Sequence, residues 1–168
     1  MKNLNYYISL AEKGNAEAAY EAAKIMHYIK YNDVIFQAML RKAGGLGNVN
    51  AQRWLGFICL ANKLIDPEST VSNIKYVSGH EAAYAWFEKA AAQGDTVSAF
   101  AVSKCLQYGI GVEKDSKKAE DVLNAISGDF DFDMFPIMFF FDTYKEFNKK
   151  GKSESPYSND IIQNLLAG

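Results

Sequence analysis

Cysteine, proline and histidine are all scarce in this 168-residue chain, at two, three and two. Cys59 and Cys105 supply no disulfide framework and form no CxxC pair. Each lies in an apolar helical pattern, where a free thiol acts as a small hydrophobe. Three prolines beside twelve glycines exclude a collagenous or proline-rich chain. His27 and His80 stand at no ligand spacing from the cysteines, so no metal site is expected. Charge of one sign is also lacking: 18 Lys and Arg face 20 Asp and Glu, a net −2. Bulk charge therefore draws the protein to neither nucleic acid nor anionic lipid. The densest apolar run, 134–141, is eight residues long and contains Pro136, far short of the roughly 18 that a membrane helix needs. The N-terminal MKNLNYYISLAEKG has no uninterrupted apolar core and no small-residue cleavage site, so the expected compartment is the cytoplasm.

Catalytic patterns are missing as well. There is no GxSxG and no phosphate loop. Gly109-Ile110-Gly111 lacks the third glycine and the preceding strand of a dinucleotide fingerprint. The expectation is a protein that is not an enzyme and uses no cofactor.

What the chain does have is 49% apolar residues, 14% aromatic residues and an internal repeat. Three segments align without a gap: YYISLAEKGNAEAAYEAAKIM from Tyr6, MLRKAGGLGNVNAQRWLGFIC from Met39 and WFEKAAAQGDTVSAFAVSKCL from Trp86. Each starts with two large apolar residues and reaches a glycine eight positions later, at Gly14, Gly47 and Gly94. Asn15, Asn48 and Asp95 follow directly. One column of small residues holds Ala18, Ala51 and Ser98, and another holds Ala23, Gly56 and Ser103.

A helical hairpin explains this unit. Ala83, Trp86, Phe87, Ala90 and Ala91 share one helix face. Gly94 suits the left-handed residue that ends a helix, and Asp95 the N-cap of the next. On that second helix Ala99, Val102, Ser103 and Leu106 repeat the spacing, and the small columns let the two helices approach closely. Gly109 and Gly111 then break the chain, and Asp115 caps a further helix. Ser78 and Glu81 have the spacing of a capping box before the Trp86 helix.

These residues resemble the Sel-one-like repeat family, α-solenoids of helical hairpins about 36 residues long and related to tetratricopeptide arrays. The third copy carries the pattern A-x-x-W-F-x-K-A-A-x-x-G-D over 83–95, then Y-G-I-G-V-x-x-D over 108–115, then Lys118-Ala119. The first two copies keep the Gly-Asn turn and lack the Gly-x-Gly-Val return. The resemblance implies an all-α, short right-handed solenoid of about three and a half hairpins over 1–127, and a C-terminal helical cap over 128–168. In that cap Asp133 serves as an N-cap, Pro136 sits in the first turn and the helix runs to about Lys149.

Glycine spacing is 33 from Gly14 to Gly47 and 47 from Gly47 to Gly94. The connection near 30–33 is therefore trimmed and that near 62–80 enlarged. Val71, Ile74, Tyr76 and Val77 make the enlarged loop apolar, which predicts packing on its own repeats or on a partner.

Such solenoids expose a groove lined by the first helix of each pair. The groove candidates are Tyr84 and Glu88 in the third copy and Gln37 and Arg41 in the second. A second candidate surface is Asp129-Phe130-Asp131-Phe132-Asp133, in a stretch from Gly128 to Asp142 with four Asp and no Lys or Arg. Alternating acid and aromatic suits either a basic protein partner or a cap whose Phe residues are buried. The resemblance implies a protein-binding, non-catalytic function. Its narrower form is a cytoplasmic bacterial immunity protein that neutralises a basic toxin. The alternative is a scaffold or adaptor in bacterial signalling or envelope regulation. A hydrolase is a remote third reading, because the paired cysteines of the secreted relatives are missing. Leu4, Tyr7 and Ile8 on the first hairpin leave homo-oligomerisation open.

Overall fold

The computed structural model describes residues 3–61, 63–76 and 79–126. Over these the chain forms seven α-helices: α1 (Leu4–Glu12), α2 (Ala16–Tyr28), α3 (Asp33–Gly45), α4 (Val49–Leu60), α5 (His80–Ala91), α6 (Thr96–Tyr108) and α7 (Ser116–Ile126). Each packs chiefly on the helix before it and the helix after it. That is the contact pattern of an α-solenoid, here of three and a half hairpins.

The turns inside the hairpins follow the glycines. Gly14, Gly47 and Gly94 have φ of +88°, +99° and +91°, and each lies in open space. Left-handed backbone is the reason for glycine there. The next residue caps the following helix in all three: Ala18 N donates to Asn15 Oδ1 at 2.8 Å, Ala51 N to Asn48 Oδ1 at 2.8 Å and Ser98 N to Asp95 Oδ2 at 2.9 Å. Asp115 caps α7 through the Lys118 amide.

Small columns set the interhelical spacing. A Cβ added to Gly56 would lie 2.5 Å from the Phe87 ring, so glycine on α4 makes room for the ring that α5 sends against it. Ala18, Ala19, Ala22, Ala23 and Ala51 are likewise buried. Two apolar clusters result. Phe36, Leu40, Trp54 and Leu55 anchor one, and Phe57, Phe87, Phe100 and Leu106 the other. Trp86 packs against both.

The start of α5 differs from the capping-box expectation. Gly79 occupies the N-cap position, and among the described residues no side chain caps the helix. A Cβ on Gly79 would lie 2.6 Å from the Cys59 carbonyl oxygen, so close backbone approach fixes glycine at the N-cap position; Ser78, the expected cap, lies outside the described residues. Residues 128–168, with the expected cap, lie outside the described residues.

Candidate protein-binding surfaces

Antiparallel hairpins give the solenoid two rims. One carries the glycine turns, and polar side chains latch these to one another. Asn48 Nδ2 donates to Glu17 Oε2 at 2.7 Å, and Arg53 Nη1 to Asp95 Oδ1 at 3.1 Å. Gln52 donates to the Gly44 carbonyl at 2.9 Å and accepts from Gln93 Nε2 at 2.7 Å.

The opposite rim carries the connections that return the chain from one hairpin to the next. The last of them touches the start of α5: Gly111, at φ +67°, presses against the His80 carbonyl, and a Cβ at this glycine would meet that oxygen. The Gly-x-Gly-Val return thus lies directly against the start of α5. His80 is the first residue of α5 rather than a loop residue. Burial lowers its imidazole pKa and favours the neutral ring. His27, in the last turn of α2, packs tilted against Phe36 and edge-on to Trp54, both at 5.1 Å.

The enlarged connection is folded. Ile65 bridges Tyr76, and Thr70 bridges Asn73, both antiparallel. Asp66 N donates to the Lys75 carbonyl at 2.8 Å. This small hairpin is fixed to α3 by two of the expected groove residues. Gln37 Nε2 donates to the Lys63 carbonyl and Gln37 Oε1 accepts the Ile65 amide, both at 2.9 Å. One side-chain amide thereby pairs with the backbone as a neighbouring strand would. Arg41 Nη2 donates to the Ile65 carbonyl.

The expectation that Gln37 faces an open groove is corrected here: it is 5% exposed, because the inserted connection lies on that side of α3. Arg41 is half-buried under the same segment. Tyr84 and Glu88 stay on the surface of α5 and pair with each other. The Tyr84 hydroxyl donates to Glu88 Oε1 at 2.6 Å. Burial, and then this bond to Glu88, raise the phenol pKa and keep Tyr84 a neutral donor. The structure joins Gln37 to Arg41 through Ile65, and Tyr84 to Glu88. Asp129, Phe130, Asp131, Phe132 and Asp133 lie outside the described residues.

Sequence reasoning missed the return rim. Nine large apolar side chains are exposed among the described residues. Leu46 sits at a glycine turn; Tyr28 is the last residue of α2, and the other seven belong to the return connections or to first turns of helices that start there. Tyr28 is 87% exposed and is followed by Ile29 and Tyr31, while Val71, Ile74 and Tyr76 stand out on the inserted hairpin. Apolar residues running past the end of α2, through 28–31, were the available signal. The expected packing of the loop on its own repeats is made by Ile65, which is buried, and Leu64, which packs against both clusters, whereas Val71, Ile74 and Tyr76 are exposed; Val77 lies outside the described residues.

Among the described residues no group of three or more His, Cys, Asp or Glu could hold a metal ion, and no helix is long and apolar enough to cross a membrane. No family model matches the chain, and no curated protein matches it. Solved structures do match. The Sel1 repeat protein from Oxalobacter formigenes superposes with a TM-score of 0.63 at 23% identity, over 80% of this chain and 95% of that one. A protective antigen present in uropathogenic Escherichia coli strains, displaying an SLR fold, gives 0.63 at 14% identity over 96% of this chain. This chain spans 32% of that second protein. The fold is therefore the Sel1-like repeat (SLR) fold, a tetratricopeptide-like α-solenoid, as the glycine-turn motifs imply.

Proposed function

We propose that this protein is a non-catalytic, protein-binding solenoid that seats a partner on its return rim. The observation that carries the reading is the gathering of exposed Tyr28, Ile29, Tyr31, Val71, Ile74 and Tyr76 along one rim of a structure whose other rim is polar and latched. Exposed apolar side chains scattered singly need no explanation, but a set confined to one side marks an interaction surface. Tyrosine is also a residue enriched at such interfaces.

The narrower form of the proposal is a cytoplasmic immunity protein that neutralises a basic bacterial toxin. The four Asp in the stretch from Gly128 through Asp142 support it, because such a charge run speeds encounter with a basic protein without having to lie in the final contact. The adaptor alternative places binding at Tyr84 and Glu88 instead. No nucleic acid, membrane or cofactor enters either form.

Affinity capture from lysate of the source organism, with stepped-salt elution and mass spectrometry, separates the two. The inhibitor form expects one stoichiometric partner, released only at high salt or by denaturant, weakened by Y31S/Y76S and slowed in association by D129N/D131N/D133N. Several weak partners lost at modest salt and sensitive to Y84A or E88A would establish the adaptor. Binding indifferent to Y31S/Y76S would remove the return rim.

A further inference from the structure

We propose that the inserted hairpin takes up an extended strand of the partner along its 74–76 edge, and that this strand carries an acidic residue opposite Lys75. The proposal rests on the return-rim reading and on neither of its narrower forms. A hairpin has two edges, and α3 closes one of them. There Gln37 pairs with the Lys63 carbonyl and the Ile65 amide, and Arg41 with the Ile65 carbonyl. The other edge is the outer side of 74–76. Lys75 turns its backbone inward: its carbonyl accepts from the Asp66 amide at 2.8 Å, and its amide donates to Ser69 Oγ at 3.0 Å. Successive residues of an antiparallel strand aim these groups to alternate sides, so the N–H and C=O of Ile74 and Tyr76 aim outward. Among the described residues none of these four groups is hydrogen-bonded. Ile74 and Tyr76 are 40% and 56% exposed.

The chemistry of that edge names its occupant. Main-chain donors and acceptors at alternate residues match the backbone of an extended peptide, whereas a helix has its own groups already paired. Side chains then select the peptide. Ile74 and Tyr76 share one face of the strand and Lys75 takes the other, and all three are exposed. Asp66, across the hairpin, accepts the Glu68 amide at 2.9 Å and makes no ion pair with Lys75. The Lys75 ammonium therefore stands beside the open edge without an acid of its own. A second copy is the first competitor, because an open edge pairs with its own kind. Lys75 works against it: in the antiparallel register that overlaps 74–76 fully, the two lysines stand directly opposite, where like charges destabilise. An acidic residue in the same place turns that repulsion into attraction. Lys63 Nζ, 5.9 Å from the centre of the Tyr76 ring, adds a second cation close by. The fitting segment is thus extended, with a carboxylate between two apolar residues.

NMR titration of the full chain with the capped peptide STVEVTS tests this. The peptide should shift the Ile74 and Tyr76 amides saturably, with a Kd below about 1 mM, and slow their hydrogen exchange. Methylating its two valine nitrogens removes the donors that face the edge and should weaken binding at least about ten-fold. K75E should weaken STVEVTS by about three- to ten-fold, and STVKVTS should bind K75E as STVEVTS binds the wild type. A peptide that does not bind, binds equally when methylated or ignores the charge exchange would overturn the proposal. Ile74 and Tyr76 amides that shift on dilution of the protein alone would also overturn it, making a second copy the occupant. Affinity capture separates this failure from failure of the reading beneath it. Capture that stays sensitive to Y31S/Y76S while the peptide fails removes strand addition and leaves the return rim. Capture indifferent to Y31S/Y76S removes both.

Discussion

Arg53 of α4 reaches Asp95 at 3.1 Å while the other oxygen of the same carboxylate accepts the Ser98 amide at 2.9 Å. One side chain thus begins α6 and ties it to the previous hairpin. Asp95→Ala removes both functions and should lower stability by about 1–2 kcal/mol. Asp95→Asn retains the cap and loses only the ion pair, for under about 1 kcal/mol. Urea titrations of the two variants check the order.

Gly56→Ala sets two effects against each other. Alanine favours a helix interior by about 1 kcal/mol over glycine. Its methyl, however, would lie 2.5 Å from the Phe87 ring, which is fully buried against Phe57. Overpacking of this kind costs about 1–3 kcal/mol, so the net change is destabilising. Phe87→Leu in the same chain should recover part of the loss, and a double-mutant cycle of melting temperatures measures the coupling.

Gln37 and Arg41 hold the inserted hairpin, so their loss should free it. Gln37→Ala leaves the Ile65 amide and the Lys63 carbonyl without their partner, at about 1–3 kcal/mol for a buried site. Trypsin should then cut after Lys63 or Lys75 well before the wild type is cut there. Gln37→Glu retains the acceptor for Ile65 and should fall between the two.

Ser98 is the polar member of a column otherwise filled by Ala18 and Ala51. Its hydroxyl is buried and finds no hydrogen-bond partner among the described residues. Ser98→Ala should stabilise the protein by about 1 kcal/mol, the desolvation cost of an unmade bond. Calorimetry of the variant decides the sign.

Burial pushes both thiols, Cys59 and Cys105, up to about 12. The thiolate is the reactive form, so neither should label with a disulfide reagent at pH 8 in the folded protein. Both should react on denaturation, and a time course with and without urea reads this directly.

The hairpins were legible because their signals are local. A glycine, a capping Asn or Asp and a small residue four positions later are each imposed by one turn and one close approach. The return rim was not. Gln37 reads as a solvated position on α3, and only the fold of residues 63–76 over that helix buries it. That contact spans 26 and 28 positions in sequence, and no periodicity encodes it. Gly79 was hidden for a similar reason: the backbone it must avoid belongs to Cys59, on another helix.

The Asn48–Glu17, Arg53–Asp95 and Gln93–Gln52 latches lie on the glycine-turn rim, so the register of the first three hairpins is fixed at that end. The return connections can therefore change length without disturbing how the helices stack. The step from Gly47 to Gly94 is 47 residues against 33 for the preceding one, yet Asn48 and Asp95 cap their helices alike. New recognition elements can be spliced into that rim as cassettes, with the scaffold beneath them left in register.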